Sequence, residues 1–169
     1  MNCKRSLFVL VIALLIIPSV FASDKIEKID STIRQEIGDS MAVIVLDADS
    51  IRTEVMPWMD QKLEAKILPL WMAQNVKYTL CQPFMYQTNK KVYTDFVADV
   101  CLSFSGTKGV LRIELDYNCF KWRIIDSVGK EICRHDLCHR ELLPMLYMLY
   151  SESKLLKIKF DRYLQNYEK

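Results

Sequence analysis

The sequence predicts an α+β domain: an N-terminal helix, an antiparallel β-meander over about residues 96–126, and a long C-terminal helix packed against the meander. Three patterns carry this. Ile26, Ile29, Ile33 and Ile37 recur at spacings of three and four, the period of one helix face. Phe96, Ala98, Val100, Leu102 and Phe104 alternate with Val97, Asp99, Cys101 and Ser103, and the alternation resumes at Leu111, Ile113, Leu115 and Tyr117. A period of two is that of half-buried strands. Leu142, Leu146, Leu149, Leu156, Phe160, Tyr163 and Tyr167 then follow a second helical stripe.

The chain opens with Lys4 and Arg5, an unbroken apolar run from Leu7 to Ile17, the breaker Pro18, and small residues at Val20 and Ala22. Basic start, apolar middle and small-residue cleavage site are the parts of a secretory signal peptide. Residues 1–22 are therefore expected to be removed, with Ser23 as the mature N-terminus and residues 23–169 as one small domain. A membrane anchor needs about 20 apolar residues, so no stable membrane insertion is expected after cleavage. The expected destination is the periplasm or the exterior.

The first helix spans Asp24–Gly38, with Gly38 as its stop. Met41–Leu46, apolar and β-branched, reads as a strand, with a buried helical turn as the alternative. Asp47 to Ser50 is a turn and Ile51–Met56 a short extended piece. A short helix is expected within Pro57–Leu68, before Pro69, and a strand at Val76–Leu80. In the meander, Ser105-Gly106-Thr107-Lys108-Gly109 forms one turn and Ser127-Val128-Gly129 another. Between them the apolar phase slips at Asn118-Cys119, since Phe120, Trp122 and Ile124 form the next apolar set. A one-residue slip sends side chains to the opposite face, so a bulge or tight turn belongs there. Lys130–Cys133 extends a last strand. The final helix starts near Leu137–Glu141, with Asp136 as cap and Pro144 in its first turn, where a missing N–H costs nothing.

Cleavage would remove two of the 23 basic residues and none of the 21 acidic ones, leaving 21 against 21. A nucleic-acid partner, which announces itself by a basic excess, is not expected. With only four Gly and five Pro, no linker or repeat divides the chain.

The segment Ala48-Asp49-Ser50-Ile51, the strand Cys101-Leu102-Ser103-Phe104, then Val110–Leu115, Cys119, Trp122 and a closing apolar helix resemble a group of small, mostly uncharacterised bacterial proteins. The resemblance covers roughly residues 46–149 and implies the fold alone. The chain departs from that group in Cys133, Cys138 and the export signal.

Five cysteines remain after cleavage: Cys81, Cys101, Cys119, Cys133 and Cys138. In an exported protein they are disulfide candidates, and an odd number leaves one over. Cys101 and Cys119 fall on opposite phases of the meander and are not expected to bond to each other. The densest cluster is Cys133-Arg134-His135-Asp136-Leu137-Cys138-His139, which holds both His of the chain. The leading reading is structural, with a Cys133–Cys138 bridge, or bridges from each to a distant Cys, and with His135 and His139 exposed. Zinc or copper on Cys133, His135, Cys138 and His139 is the alternative; zinc sites gather two ligand pairs from separated segments, and no second pair is present. Covalent haem on Cys-x4-Cys-His, a stretched form of the attachment motif, is the third. Catalytic motifs are lacking: no nucleophile elbow, phosphate loop or zinc-protease pair occurs. Asp47 and Asp49 read as turn residues, Glu114 and Asp116 as solvated carboxylates on a polar strand face. Tyr147, Tyr150, Tyr163 and Tyr167 are surplus aromatics, read as core or as the lining of a partner groove. No cofactor is expected. The function expected is a non-catalytic protein-binding domain of the inhibitor, adaptor or immunity kind; the alternative is a metal- or haem-binding protein built on residues 133–139.

Overall fold

A computed structural model describes residues 31–59, 63–86, 95–118, 121–136 and 139–167, without the side chains of 139–141, 163–164 and 166–167. The predicted leader, Ser23, Ile26 and Ile29 lie outside the described residues. The fold is mixed α+β around a six-stranded antiparallel sheet.

Residues 31–37 are helical (α1) and bury Ile33 and Ile37. Gly38, at φ 83°, ends the helix, a left-handed conformation that only glycine adopts without strain. Asp39–Leu46 forms α2, where a strand was expected at Met41–Leu46. The run is apolar throughout and carries no period, so the sequence alone does not choose between helix and strand. Packing does: Ala42 and Val45 are buried, with Met41, Ile44 and Leu46 packed against the same core.

β1 is Ser50–Val55 and β2 is Lys66–Ile67. Among the described residues of Pro57–Leu68 there is a turn but no helix. The helix comes after Pro69: α3 spans Leu70–Leu80 and absorbs the strand expected at Val76–Leu80. Pro69 precedes the first helical residue, a place proline suits because it needs no amide there. Met72, Val76, Thr79 and Leu80 are its buried face. A short 3-10 helix, Pro83–Tyr86, follows.

β3 (Val100–Gly106), β4 (Gly109–Asp116), β5 (Lys121–Ile125) and β6 (Glu131–Asp136) form the meander, and the sheet order is β2-β1-β3-β4-β5-β6. The phase slip near Asn118 separates two strands: Asp116 pairs with Lys121 across the β4–β5 connection. At the next turn Asp126 Oδ1 accepts the amides of Val128 and Lys130, and Gly129 sits at φ 87°.

Register sorts the sheet into two faces. One row runs Val55, Val100, Leu115, Trp122, His135, and the next Thr53, Leu102, Ile113, Ile124, Cys133. These belong to the core face and, apart from the half-buried Cys133 and His135 at the β6 edge, are buried with Leu142, Leu143, Leu146, Tyr150 and Leu156 from the C-terminal segment. On the other face Glu54, Cys101, Glu114, Arg123 and Arg134 share a row.

The single C-terminal helix expected from about residue 140 is two: α4, His139–Leu149, and α5, Lys154–Tyr167. Ser153, fully buried, makes the break, and its Oγ accepts the amide of Leu156 at 3.3 Å. That is an N-cap bond to the third helical residue, and it starts a new helix. Lys66 from β2 ties down the end of α4, its Nζ donating to Leu149 O at 2.5 Å and to Glu152 at 2.9 Å. No helix among the described residues is long and apolar enough to cross a membrane.

Candidate functional site

Strand geometry separates the described part of the cluster, residues 133–136. Successive residues of β6 point to opposite faces, so Cys133 and His135 face the core while Arg134 joins the polar face. His135, expected to be exposed, is packed among aromatics: its ring lies 5.2 Å from Tyr86 and 5.3 Å from Trp122, and Tyr86 lies 5.6 Å from Trp122. Trp122 Nε1 donates to Met85 O at 2.9 Å. Burial pushes the His135 pKa below the ordinary imidazole range, against the opposing pull of Glu36, which favours the neutral ring. Burial also pushes the Cys133 thiol up to about 11. A thiol so raised stays protonated at neutral pH and is a poor nucleophile. Cys119 and Cys138 lie outside the described residues, as does the side chain of His139, which opens α4. Among the described residues, no three His, Cys, Asp or Glu side chains are grouped for a metal ion.

Cys81 is buried where α3 ends. Cys101 is only 2% exposed although it lies on the polar face. Arg112 Nε donates to its sulfur at 3.3 Å, and this bond is the main cause of the raised pKa of Arg112. The carboxylates of this face are not simply solvated. Glu114 is clasped by Arg112 at 3.0 Å and Arg123 at 2.7 Å, and Glu131 by Arg123 at 3.2 Å and Arg134 at 2.6 Å. Phe96 lies beneath the guanidinium groups of Arg123 and Arg134. Asp116 accepts the amides of Val97 and Asn118, both at 2.8 Å. Cross-strand ladders of this kind close the face by satisfying its charges locally.

One carboxylate is wholly buried. Asp99, 0% exposed, accepts from Tyr117 N at 2.7 Å and Lys159 Nζ at 2.5 Å. Burial raises its pKa, with Lys159 opposing. Lys159 also donates to Asn118, so the pair fastens α5 to the start of β3 and the β4–β5 turn. Its contacts are those of a structural tie.

A concavity of about 380 Å³ lies between α3 and α4. Its floor and walls are Val76, Thr79, Leu142, Pro144 and Met145; Trp71, Asn75, Tyr78 and Met148 complete it. Among the described residues, no charged side chain lines it. Trp71 is 52% and Met148 63% exposed, and Leu70 beside Trp71 is exposed too. α3 creates this rim because Leu70, Trp71, Asn75 and Tyr78 fall on the face opposite Met72, Val76 and Leu80. Reading Val76–Leu80 as a strand hid it; Trp71 and Tyr78, two helical turns apart, were the available signal. The aromatics nominated from the sequence lie elsewhere. Tyr150 is buried with its hydroxyl donating to Thr53 O, Tyr147 stacks on Phe160 at 5.1 Å, and the side chains of Tyr163 and Tyr167 are outside the description. No protein-family model, curated protein or solved structure matches the chain.

Proposed function

We propose that this chain is an exported, non-catalytic domain that binds another protein through the groove between α3 and α4. The carrying observation is the groove's chemistry: a largely apolar recess, uncharged among the described residues, with a Trp, a Tyr and a Met at its rim. Aromatic and Met side chains around an apolar centre are the composition of protein interfaces, and exposed apolar patches of this kind mark interaction sites. The occupant that fits is an apolar anchor, aliphatic or aromatic, presented on a helix or loop of the partner. Export rests on the grammar of residues 1–22, and N-terminal sequencing of the exported protein is expected to begin at Ser23.

The test replaces Trp71 with Ala and Met148 with Glu, singly, and compares each with the parent. The partner that co-purifies with the parent from the exported fraction is expected to bind each variant at least about 30-fold more weakly, the size of an interface hot spot. Melting temperatures should stay close to the parent's, because both side chains are more than half exposed. Undiminished binding by both variants would overturn the proposal. A stoichiometric metal or a haem absorption in the purified protein would move the function to residues 133–139.

A further inference from the structure

His135 holds both nitrogens of its ring where no hydrogen-bond partner among the described residues reaches them, and both atoms are shut off from solvent. The ring is boxed by aromatics, 5.2 Å from Tyr86 at 84° and 5.3 Å from Trp122 at 37°. Buried polar atoms are ordinarily paired. A neutral imidazole in this box leaves one N–H donor and one acceptor unmet. An imidazolium is a donor at both nitrogens, so it would leave two donors unmet and bring a buried charge as well. Around His135 and Tyr86 the charged and titratable groups, among the described residues, are Glu36 of α1, Cys81 at the end of α3, Lys121 of β5, and Cys133 and Asp136 of β6. Glu36, the Tyr86 backbone and Asp136 attract a charged ring without closing a hydrogen bond to it, and Lys121 repels it.

We propose that His135 is an acid-sensitive latch: uptake of a proton there loosens β6 from β5 and from the 3-10 helix Pro83–Tyr86, and uncovers Trp122. The strand that carries the ring is the one able to respond. β6 is the last strand of the sheet and pairs with β5 alone. Its ladder is interrupted by an irregularity at Ile124–Ile125. Freeing it breaks one ladder, whereas freeing β3, β4 or β5 breaks two. Local opening is drawn from such weakly held elements. The inference does not rest on the groove between α3 and α4.

The sign follows from the box. Burial pushes the His135 pKa below its ordinary 6.5, so the folded chain takes up this proton less readily than the unfolded chain. The contribution of the neutral ring is complete above 6.5 and is lost as pH falls from there through the lower folded pKa. Burial pushes the Tyr86 phenol up, and the Cys133 thiol up to about 11, so both keep their protons across this range. Asp99, which burial raises, has the opposite sign and cannot imitate the effect.

The test follows backbone hydrogen exchange of the full chain at about pH 7.5 and about pH 5.5, each rate divided by the intrinsic rate at that pH. The amides of β6 bonded to β5 are expected to open about threefold or more often at the lower pH, while those between β3 and β4 change less. His135→Phe keeps an aromatic ring and removes the titration, and should abolish the difference; His139→Ala should keep it. The chain has only two His, so His139→Ala also identifies the His135 imidazole signal in the NMR spectrum. That signal should titrate below 6.5, in step with the indole N–H of Trp122. If His135→Phe does not fold, His135→Gln takes its place, and the imidazole titration of the parent needs neither variant. A His135 pKa at or above 6.5, equal opening of β6 at both pH values, or a difference that persists without His135 would overturn the proposal.

Discussion

On the core face of the sheet, Cys133 sits in a row of Thr53, Leu102, Ile113 and Ile124, with Trp122 and His135 in the next row; on the other face, Cys101 sits between Glu54 and Glu114, in line with Arg123 and Arg134. Both cysteines are sheltered, but by different forces. The first is half-buried against packed hydrocarbon, which acts without regard to charge. The second lies under Arg112, whose Nε donates to its sulfur, at one end of a chain of ion pairs running from Arg112 through Glu114, Arg123 and Glu131 to Arg134. The comparison teaches that burial alone does not say what a site depends on. The core face should answer to volume, the polar face to pH and salt.

The largest expected effect is on the core face. Trp122→Ala removes a fully buried side chain and its bond to Met85 O. A loss of about 3–5 kcal/mol is expected, read as a lowered urea midpoint with an unchanged slope, and insensitive to salt. A large salt dependence would break the contrast.

Glu114→Gln keeps the shape of the polar face and removes the charge that holds two arginines. Those arginines are partly exposed, at 44% and 26%, so solvent screens the loss. About 1–2 kcal/mol is expected, shrinking as salt is raised. The same urea titration at low and high salt checks it.

The smallest effects are in pH dependence, and they have opposite signs. Arg134, through a hydrogen bond, holds the Glu131 pKa below its ordinary 4.5. Its contribution is present above that value and is lost as pH falls through the lower folded pKa. Burial raises Asp99 above its ordinary 3.8. Its contribution is full below that value and is lost as pH rises through the raised folded pKa. Urea midpoints measured from about pH 3 to pH 7 should show Glu131→Gln flattening the acid limb. Asp99→Asn should improve relative to the parent as pH rises. Parallel curves for the parent and both variants would refute the assignment.

The strands were legible because Leu102, Phe104, Leu111 and Ile113 alternate with polar residues, and alternation states a face directly. α2 was not, because Met41–Leu46 has no polar residue to set a phase. α3 is not legible from Pro69 alone, since proline can follow a helix or begin one; only the buried face of Met72, Val76 and Leu80 decides. The break between α4 and α5 rests on one hydroxyl, Ser153, inside a stripe whose spacing would also suit a continuous helix. For the candidate sites, the sequence supplied residue types but not directions. Cys133 and His135 looked like neighbours of Arg134 until the strand turned them inward. The groove rim of Trp71, Tyr78 and Met148 needed two helices to meet.

The edges of the sheet differ in a way that bears on how this chain behaves in a crowd. β2 is only Lys66–Ile67, and Lys66 is fastened to the end of α4 and to Glu152. So short an edge offers an incoming chain almost no backbone ladder to extend. β6, at the other end, spans Glu131–Asp136. If molecules of this protein polymerise through strand addition, growth should proceed from the β6 edge and stall at β2, giving capped pairs rather than fibres.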